Sequence, residues 1–272
     1  LYEPGSTFKA ITVAAGIEEG VIEPNTECDT CDGPRKFGKY TIKTWNNEYH
    51  PNINMTDGLA KSDNIAMIFI AEKLGIDAFK DYLHKFVVGE ETKIDLQEDR
   101  STPFPKQWGD VKLATTSFGQ GLVVNSMQVV RAIATIANGG IMMRPIIIES
   151  VEDTSTGEII INQPIKDREV ISKKTADTVT EMLISAAEHG EAQWTASKTY
   201  TVAGKTGTSQ VVTEKGYDDE KTIASFVGFT PPKNPKFVMI TKLVEPTVSP
   251  WAAETAAPLW YKIADKLNLL LN

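Results

Sequence analysis

An α+β fold, with a helical lobe over roughly 7–190 and a mostly antiparallel sheet lobe over roughly 200–272, is what this chain predicts. Three observations carry the prediction. Apolar residues recur at helical spacing through most of the first two-thirds. β-formers then dominate three stretches of the last third, separated by polar loops. Ala252–Leu271 closes the chain as an amphipathic helix suited to packing on a sheet.

The elements follow in order. Pro4-Gly5 is a turn signal, and Ser6 stands at the N-cap or in the first turn of a helix. Phe8, Ile11, Ala14 and Ala15 line one face of that helix until Gly20 stops it. Glu23 to Asn54 reads as loop, and helices are expected around Asp63–Leu74 and Asp77–Phe86. A Pro-rich loop (Thr102 to Trp108) precedes a helix near Ser126–Asn138. Met142–Val151 and Glu158–Ile161 read as a hairpin turning at Thr154-Ser155-Thr156-Gly157. Ser172 caps a long helix through Ala187, with Gly190 as its stop. Strands are expected near 201–212, 222–230 and 236–243, with Thr213–Glu220 as a charged, mobile loop. In the closing helix Ala257, Leu259, Trp260, Ile263 and Leu267 are the expected core contacts.

Composition narrows the function. With 272 residues, 41% hydrophobic and 24% charged, the chain can bury an ample core in one large domain or two interlocked lobes. A net charge of −8 argues against nucleic acid as a partner. No apolar run reaches the ~18 residues of a membrane span, and no signal peptide is visible. Cys28 and Cys31 form a single C-x-x-C, short of the four ligands of a structural zinc site even with His50 nearby. His50, His84 and His189 stand in no recognisable triad context. No metal or cofactor motif is present, so none is expected.

Three short motifs carry the chemistry, each occurring once and in this order. Ser6-Thr7-Phe8-Lys9, Ser62-Asp63-Asn64 and Lys205-Thr206-Gly207 are the parts of a serine acyltransferase that works without histidine. Residues i and i+3 share a helix face, so Lys9 is expected to reach the Ser6 hydroxyl. The positive helix N-terminus favours an alkoxide there and disfavours an ammonium. A lysine made neutral by desolvation and a nearby cation can act as general base. Ser62 offers a hydroxyl to relay a proton, and Asn64 an amide to hold a substrate carbonyl or amide. Lys205, Thr206 and Thr208 offer a cation and hydroxyls suited to a carboxylate. Alternation puts 205 and 206 on opposite faces, so both serve one site only at a sheet edge. Gly204 and Gly207 signal close approach by another backbone, expected to be a substrate peptide laid along that edge.

With these motifs the chain resembles the transpeptidase domain of a class B, monofunctional penicillin-binding protein. The likeness extends through Leu1-Tyr2-Glu3-Pro4-Gly5, Val202-Ala203-Gly204 and Thr208, to Ser117-Phe118-Gly119-Gln120-Gly121, Ala137-Asn138-Gly139-Gly140 and Ala224-Ser225-Phe226-Val227-Gly228-Phe229-Thr230-Pro231. It covers nearly the whole chain. Departures are confined to Gln97-Glu98, where the family often has Pro-Gly, and to Glu27–His50. The resemblance implies the fold shared with serine β-lactamases, here lacking the amino-terminal strands because an anchor, a pedestal and the first strands normally precede this point. It implies a peptidoglycan D,D-transpeptidase that binds stem peptides and β-lactams. Ser6, Lys9, Ser62, Asn64 and Lys205 would be catalytic, and Asp63, Thr206, Gly207 and Thr208 would bind substrate. The backbone N–H groups of Ser6 and Thr208 would form the oxyanion hole. It further implies an extracytoplasmic location through an anchor outside this chain, and a glycan-polymerising membrane partner. In that compartment Cys28 and Cys31 could pair, and disulfide and free thiols both stay open.

Two other readings use the same motifs. A β-lactamase or D,D-carboxypeptidase would share them, although the 141-residue step from Asn64 to Lys205 is long for a compact β-lactamase. A β-lactam sensor or non-catalytic scaffold is the reading from another class. The acidic stretch Glu90 to Glu98 does not resemble a β-lactamase glutamate loop and is expected to be a solvated rim.

Overall fold

The computed structural model describes residues 1–97, 99–214 and 216–271. Glu98 of the acidic stretch and Lys215 of the charged loop lie outside the described residues.

The nucleophile segment begins with a 3-10 turn, Gly5–Phe8, that runs straight into α1 (Lys9–Glu18). Ser6 therefore lies in the leading turn rather than at an N-cap. The loop-rich stretch contains one small hairpin, β1 (Arg35–Phe37) with β2 (Tyr40–Ile42), and a disulfide between Cys28 and Cys31. Two short helices escaped the sequence reading. These are α2 (Met55–Ala60), capped by the Asn54 side chain, and α5 (Asp110–Ser117). The expected helices form as α3 (Asn64–Leu74), α4 (Ile76–Lys85), α6 (Ser126–Ala137) and α7 (Lys173–His189). Asn125 and Gln128 form a reciprocal capping box on α6, and Ser172 caps α7. Every residue from Ile65 to Ala71 is buried, so that part of α3 has no solvent face, and its last turn, at Glu72 and Lys73, meets water. Each such Ile or Met contributes about 1.5–3 kcal/mol of transfer free energy.

Two strand assignments need correction. The expected first arm does not extend back to Met142, because β3 (Ile141–Met143) pairs with β6 (Lys166–Glu169), while the hairpin itself forms about the expected turn, β4 (Ser150–Glu152) with β5 (Ile159–Ile161). Pro145 lies between β3 and β4, where its missing N–H cannot serve a ladder. The supposed mobile loop at 213–220 is largely a continuation of the sheet. β7 (Ala203–Thr213) and β8 (Gly216–Thr230) pair almost to their tips, at Thr213 opposite Gly216. Charged residues there read as loop because both faces of the protruding ribbon meet solvent.

β9 (Phe237–Val244) completes an antiparallel sheet of order β7-β8-β9, so β7 is an edge strand. Helix α8 (Ala256–Leu271) packs on this sheet. Its Trp260 is fully buried, meets Phe226 at 5.2 Å between centroids, and donates its indole N–H to Met239 O at 2.8 Å. Leu259 is 37% exposed, contrary to expectation. At 100° per residue it falls off the stripe formed by Ala257, Trp260, Tyr261 and Ala264. The acidic stretch is a solvated rim, as expected, with Glu91 exposed and the bonds made by Asp95 and the neighbouring Asp99 lying at the surface. Glu90 pairs with Arg168, Asp95 accepts from the Ile147 and Ile148 N–H groups, and Asp99 accepts from Thr92 and Lys93.

Candidate active site

Residues 2–7 are held between two walls. Tyr2 and Val124 exchange backbone hydrogen bonds, and the Gly5 N–H donates to Gly119 O. From the sheet side the Ser209 hydroxyl donates to Glu3 O at 2.8 Å. Gly207 also approaches closely: a Cβ there would lie 2.9 Å from Pro4 O and 2.7 Å from the Thr7 methyl. The missing side chain at Gly207 thus makes room for the turn that carries Ser6.

Ser6 lies half-buried in a cleft of about 710 Å³, lined also by Lys43, Trp45, Asn64, Gln120, Thr208 and Trp251. Trp45 and Trp251 meet across its rim with centroids 5.5 Å apart. A more open depression of about 640 Å³, between the β1–β2 hairpin and α5, contains none of the motif residues.

Behind Ser6 the three motifs converge. Lys9 is fully buried, and its ammonium donates to Ser62 O at 2.6 Å, Asn64 Oδ1 at 2.8 Å and Ser62 Oγ at 3.1 Å. Its three hydrogens are thereby committed, and no Lys9–Ser6 hydrogen bond forms, contrary to the expectation from i,i+3 spacing. A fully buried ammonium requires every donor to find an acceptor, and the turn between α2 and α3, with the first residue of α3, supplies all three. Ser62 sits at the centre of that turn with φ of +56°, a left-handed conformation unfavourable for a side-chain-bearing residue. The strain places its hydroxyl between two lysines, since Lys205 Nζ donates to Ser62 Oγ at 3.1 Å as well.

Lys205 is 2% exposed and also donates to Thr206 Oγ1 at 3.0 Å and Thr206 O at 3.3 Å. It is not a cation extended into solvent. Both residues reach one site because β7 is the edge strand, as alternation required. Burial, followed by the positive charge of Lys205, pulls Lys9 down from its usual 10.5 to about 7, against the opposing pull of Glu191 and Asp63. Burial also lowers Lys205, opposed by Glu191.

The remaining motif residues divide. Asn64 is oriented by donating its amide to Lys43 O at 3.0 Å. Thr208 lines the cleft, its hydroxyl accepting from Ala252 N–H at 3.1 Å. Asp63, expected at the substrate, is 2% exposed and caps α3 by accepting from Ile65 and Ala66 N–H. That cap explains the middle letter of the motif, since an Asp there fixes where α3 begins. Sequence reasoning missed Glu191, which accepts the Thr206 hydroxyl proton at 2.6 Å. No metal-binding cluster of His, Cys, Asp or Glu occurs among the described residues.

The helical lobe and the antiparallel sheet meet at this seam, each contributing motif residues to it. Residues 1–265 match the family model of the penicillin binding protein transpeptidase domain, and the chain belongs to that family. It is 33% identical over 248 residues to stage V sporulation protein D of Bacillus subtilis, covering 90% of this chain and 38% of that protein. It is 30% identical over 276 residues to the peptidoglycan D,D-transpeptidase FtsI of Escherichia coli K12, covering 100% of this chain and 44% of that protein. The chain thus spans less than half the length of these curated relatives. Among solved structures, penicillin binding protein 3 of Mycobacterium tuberculosis complexed with aztreonam superposes with a TM-score of 0.90 at 28% identity, over 98% of this chain and 62% of that one. The transpeptidase domain of Burkholderia pseudomallei penicillin-binding protein 3 gives 0.86 at 28% identity, over 99% and 80%.

Proposed function

We propose that this domain is a serine-type D,D-transpeptidase that cross-links peptidoglycan stem peptides and is acylated by β-lactams. The observation that carries the reading is the buried Lys9–Ser62–Lys205 network directly behind the cleft-lining Ser6. With its ordinary value lowered to about 7, Lys9 is neutral in a large fraction of molecules at neutral pH and has a lone pair to offer.

In the proposed cycle the Ser6 hydroxyl gives its proton to Lys9 while Oγ attacks the penultimate D-Ala carbonyl. The Ser6 and Thr208 backbone N–H groups take the oxyanion, a contribution of about 2.7–4 kcal/mol per donor in comparable sites. Collapse breaks the C–N bond, and Ser62 passes a proton to the departing D-Ala amine. The amine of a neighbouring stem peptide then attacks the ester, restoring Ser6. Thr208 on the cleft wall binds the terminal carboxylate with the Lys205 charge behind it, the Thr206 hydrogen being already given to Glu191. Asn64 holds the substrate amide. The same reading places the domain outside the cytoplasmic membrane, in a protein working beside a glycan-polymerising membrane partner. Among the described residues no helix is long and apolar enough to cross a membrane.

Fluorescent penicillin labelling tests this reading. Peptide mapping should place the adduct on Ser6, and Ser6→Ala should abolish it; labelling that survives the substitution contradicts the assignment. Hydrolysis is the competing outcome, and the committed carboxylates of Glu90, Asp95 and Asp99 argue against it. Intact-protein mass spectrometry should therefore show a penicillin adduct lasting many minutes to hours. Loss within seconds, with steady penicillin turnover, would favour a β-lactamase.

A further inference from the structure

Glu191 belongs to none of the three motifs, yet the fold delivers it to their meeting point. Helix α7 ends at His189, and Gly190 follows with no room for a side chain. A Cβ at Gly190 would lie 2.7 Å from Ala60 O and closer still to Ala186 O. Ala60 is the last residue of α2, two positions before Ser62. This tight crossing brings residue 191 beside the Ser62 turn on one side and β7 on the other. The Glu191 carboxylate then accepts from Thr206 Oγ1 at 2.6 Å, and Thr206 Oγ1 itself accepts from Lys205 Nζ at 3.0 Å.

The order of donors is what matters. A threonine hydroxyl has one hydrogen and two lone pairs. Glu191 takes the hydrogen, so the lone pairs of Thr206 face Lys205, and Lys205 in turn donates to Ser62 Oγ at 3.1 Å. We propose that Glu191 is a positioning residue: by taking the Thr206 proton it fixes Thr206 as an acceptor and holds Lys205 as a charged donor on Ser62. The role attached to this alignment rests on the acyl-transfer reading above, whereas the alignment itself does not.

Electrostatics supports the geometry. Four charged groups share the seam: Lys9 from α1, Asp63 at the start of α3, Lys205 from β7 and Glu191 after α7. Two lysines whose ammonium groups both donate to one hydroxyl disfavour each other's charge. Glu191 is the negative group that opposes the loss of charge on both, and for Lys205 it is the only one that acts appreciably. Without it, Lys205 would lose its proton at lower pH and Ser62 would lose its second donor.

The decisive experiment follows both lysines directly, so it does not depend on turnover. The protein, labelled with [ε-13C]lysine, is titrated by NMR as wild type, Glu191→Gln and Thr206→Val, with Lys9→Gln and Lys205→Gln used to assign the two resonances. Glu191→Gln keeps an acceptor for Thr206 but removes the charge. Both midpoints should fall, Lys205 by about one unit or more, which is a tenfold loss of its charged fraction at a given pH. Thr206→Val should leave the charge in place and lower Lys205 less. Unmoved midpoints in a folded Glu191→Gln protein would overturn the proposal. Penicillin acylation rates measured from pH 5.5 to 9.5 give the functional arm. In Glu191→Gln the whole profile should shift to lower pH, with Glu191→Ala shifted and reduced in height about tenfold. A profile lowered in height but unmoved in position would assign Glu191 a merely structural role. Failure of wild type to label at Ser6 would count against the acyl-enzyme reading alone, because the NMR midpoints decide Glu191 separately.

Discussion

Two regions of this molecule invert the usual placement of side chains, and in opposite directions. In the seam where the three motifs meet, Lys9 is 0% and Lys205 2% exposed. In the arm formed by β4, β5 and their flanks, Ile147 is 57% and Ile160 is 60% exposed, with Ile159, Ile161 and Val151 similar. The difference lies in how many distant elements converge. The seam is where α1, the α2–α3 turn, the segment after α7 and β7 meet, so charged groups are enclosed and must satisfy one another. The arm is built from local pairing, with Asp153 organising its tip, Asn162 bonding Ile148 O, and Asp95 holding its base. Its backbone is satisfied without a partner over its faces. Burial here follows tertiary convergence rather than residue type, and it is costly in the seam and absent in the arm.

The comparison can be broken most severely at Lys9. Lys9→Arg keeps a charge but cannot supply a neutral amine near pH 7, and second-order acylation by penicillin should fall about 10²–10⁴-fold. A rate within a few-fold of wild type would show that the buried lysine is not the base. The same residue sets a pH signature for stability. The unfolded chain holds this proton up to about 10.5, whereas the folded protein releases it near 7. The unfolded state therefore binds more protons between those values, and the Lys9 contribution to stability should rise as pH rises through that window. Chemical denaturation of wild type and Lys9→Met at pH 6.5 and 9.5 isolates this term as the difference between them, and the gain should be larger in wild type, since Lys205 is lowered in both.

Gly207→Ala comes next. Its methyl would press on the Pro4 carbonyl and the Thr7 methyl, and backbone cannot yield as a flexible side chain can. A loss of about 1–3 kcal/mol is expected in urea unfolding, together with slowed acylation as the nucleophile turn shifts. Unchanged stability would show that the turn and β7 are less tightly coupled than their spacing suggests. Ser62 offers a finer test. Ser62→Ala leaves both lysines short of an acceptor while keeping the strained φ, at a cost of about 1–3 kcal/mol. Ser62→Gly loses the same acceptor but relieves the strain, so it should be more stable than Ser62→Ala by about 1 kcal/mol. Equal stabilities would mean that the +56° conformation is not strained. The smallest effect belongs to the arm. Ile160→Lys should change stability by no more than about 0.5 kcal/mol and leave acylation untouched. A larger loss would show that the arm is packed in solution.

The motifs were legible because their meaning is local and each carries its own punctuation. Ser6 and Lys9 follow a Pro-Gly turn, Ser62 and Asn64 bracket a capping Asp, and Lys205 lies among β-formers. What their atoms do was less legible. Lys9 turned to Ser62 and Asn64 because a buried ammonium goes where acceptors are fixed, and those arrive from 53 and 55 residues away. Glu191 gave no signal at all, being a single acid after a helix stop whose partner sits 15 residues further on. The six-residue α2, with Gly58 inside it, is too short for periodicity to register. The far ends of β7 and β8 looked like loop because their charges face water on both sides.

Ser62 has one more consequence. With both lysines charged, its oxygen receives a hydrogen from each, and a hydroxyl oxygen has two lone pairs to give. Both are occupied, so the only thing the group can still offer is its own hydrogen, and the only direction left for it is away from the lysines. A hydrogen given up on that side can be replaced only from behind, by one of the two ammonium groups. The hydroxyl is thereby polarised like a valve: departure away from the lysines comes first, refilling from them comes second, and traffic in the opposite sense requires a lysine to have been emptied beforehand.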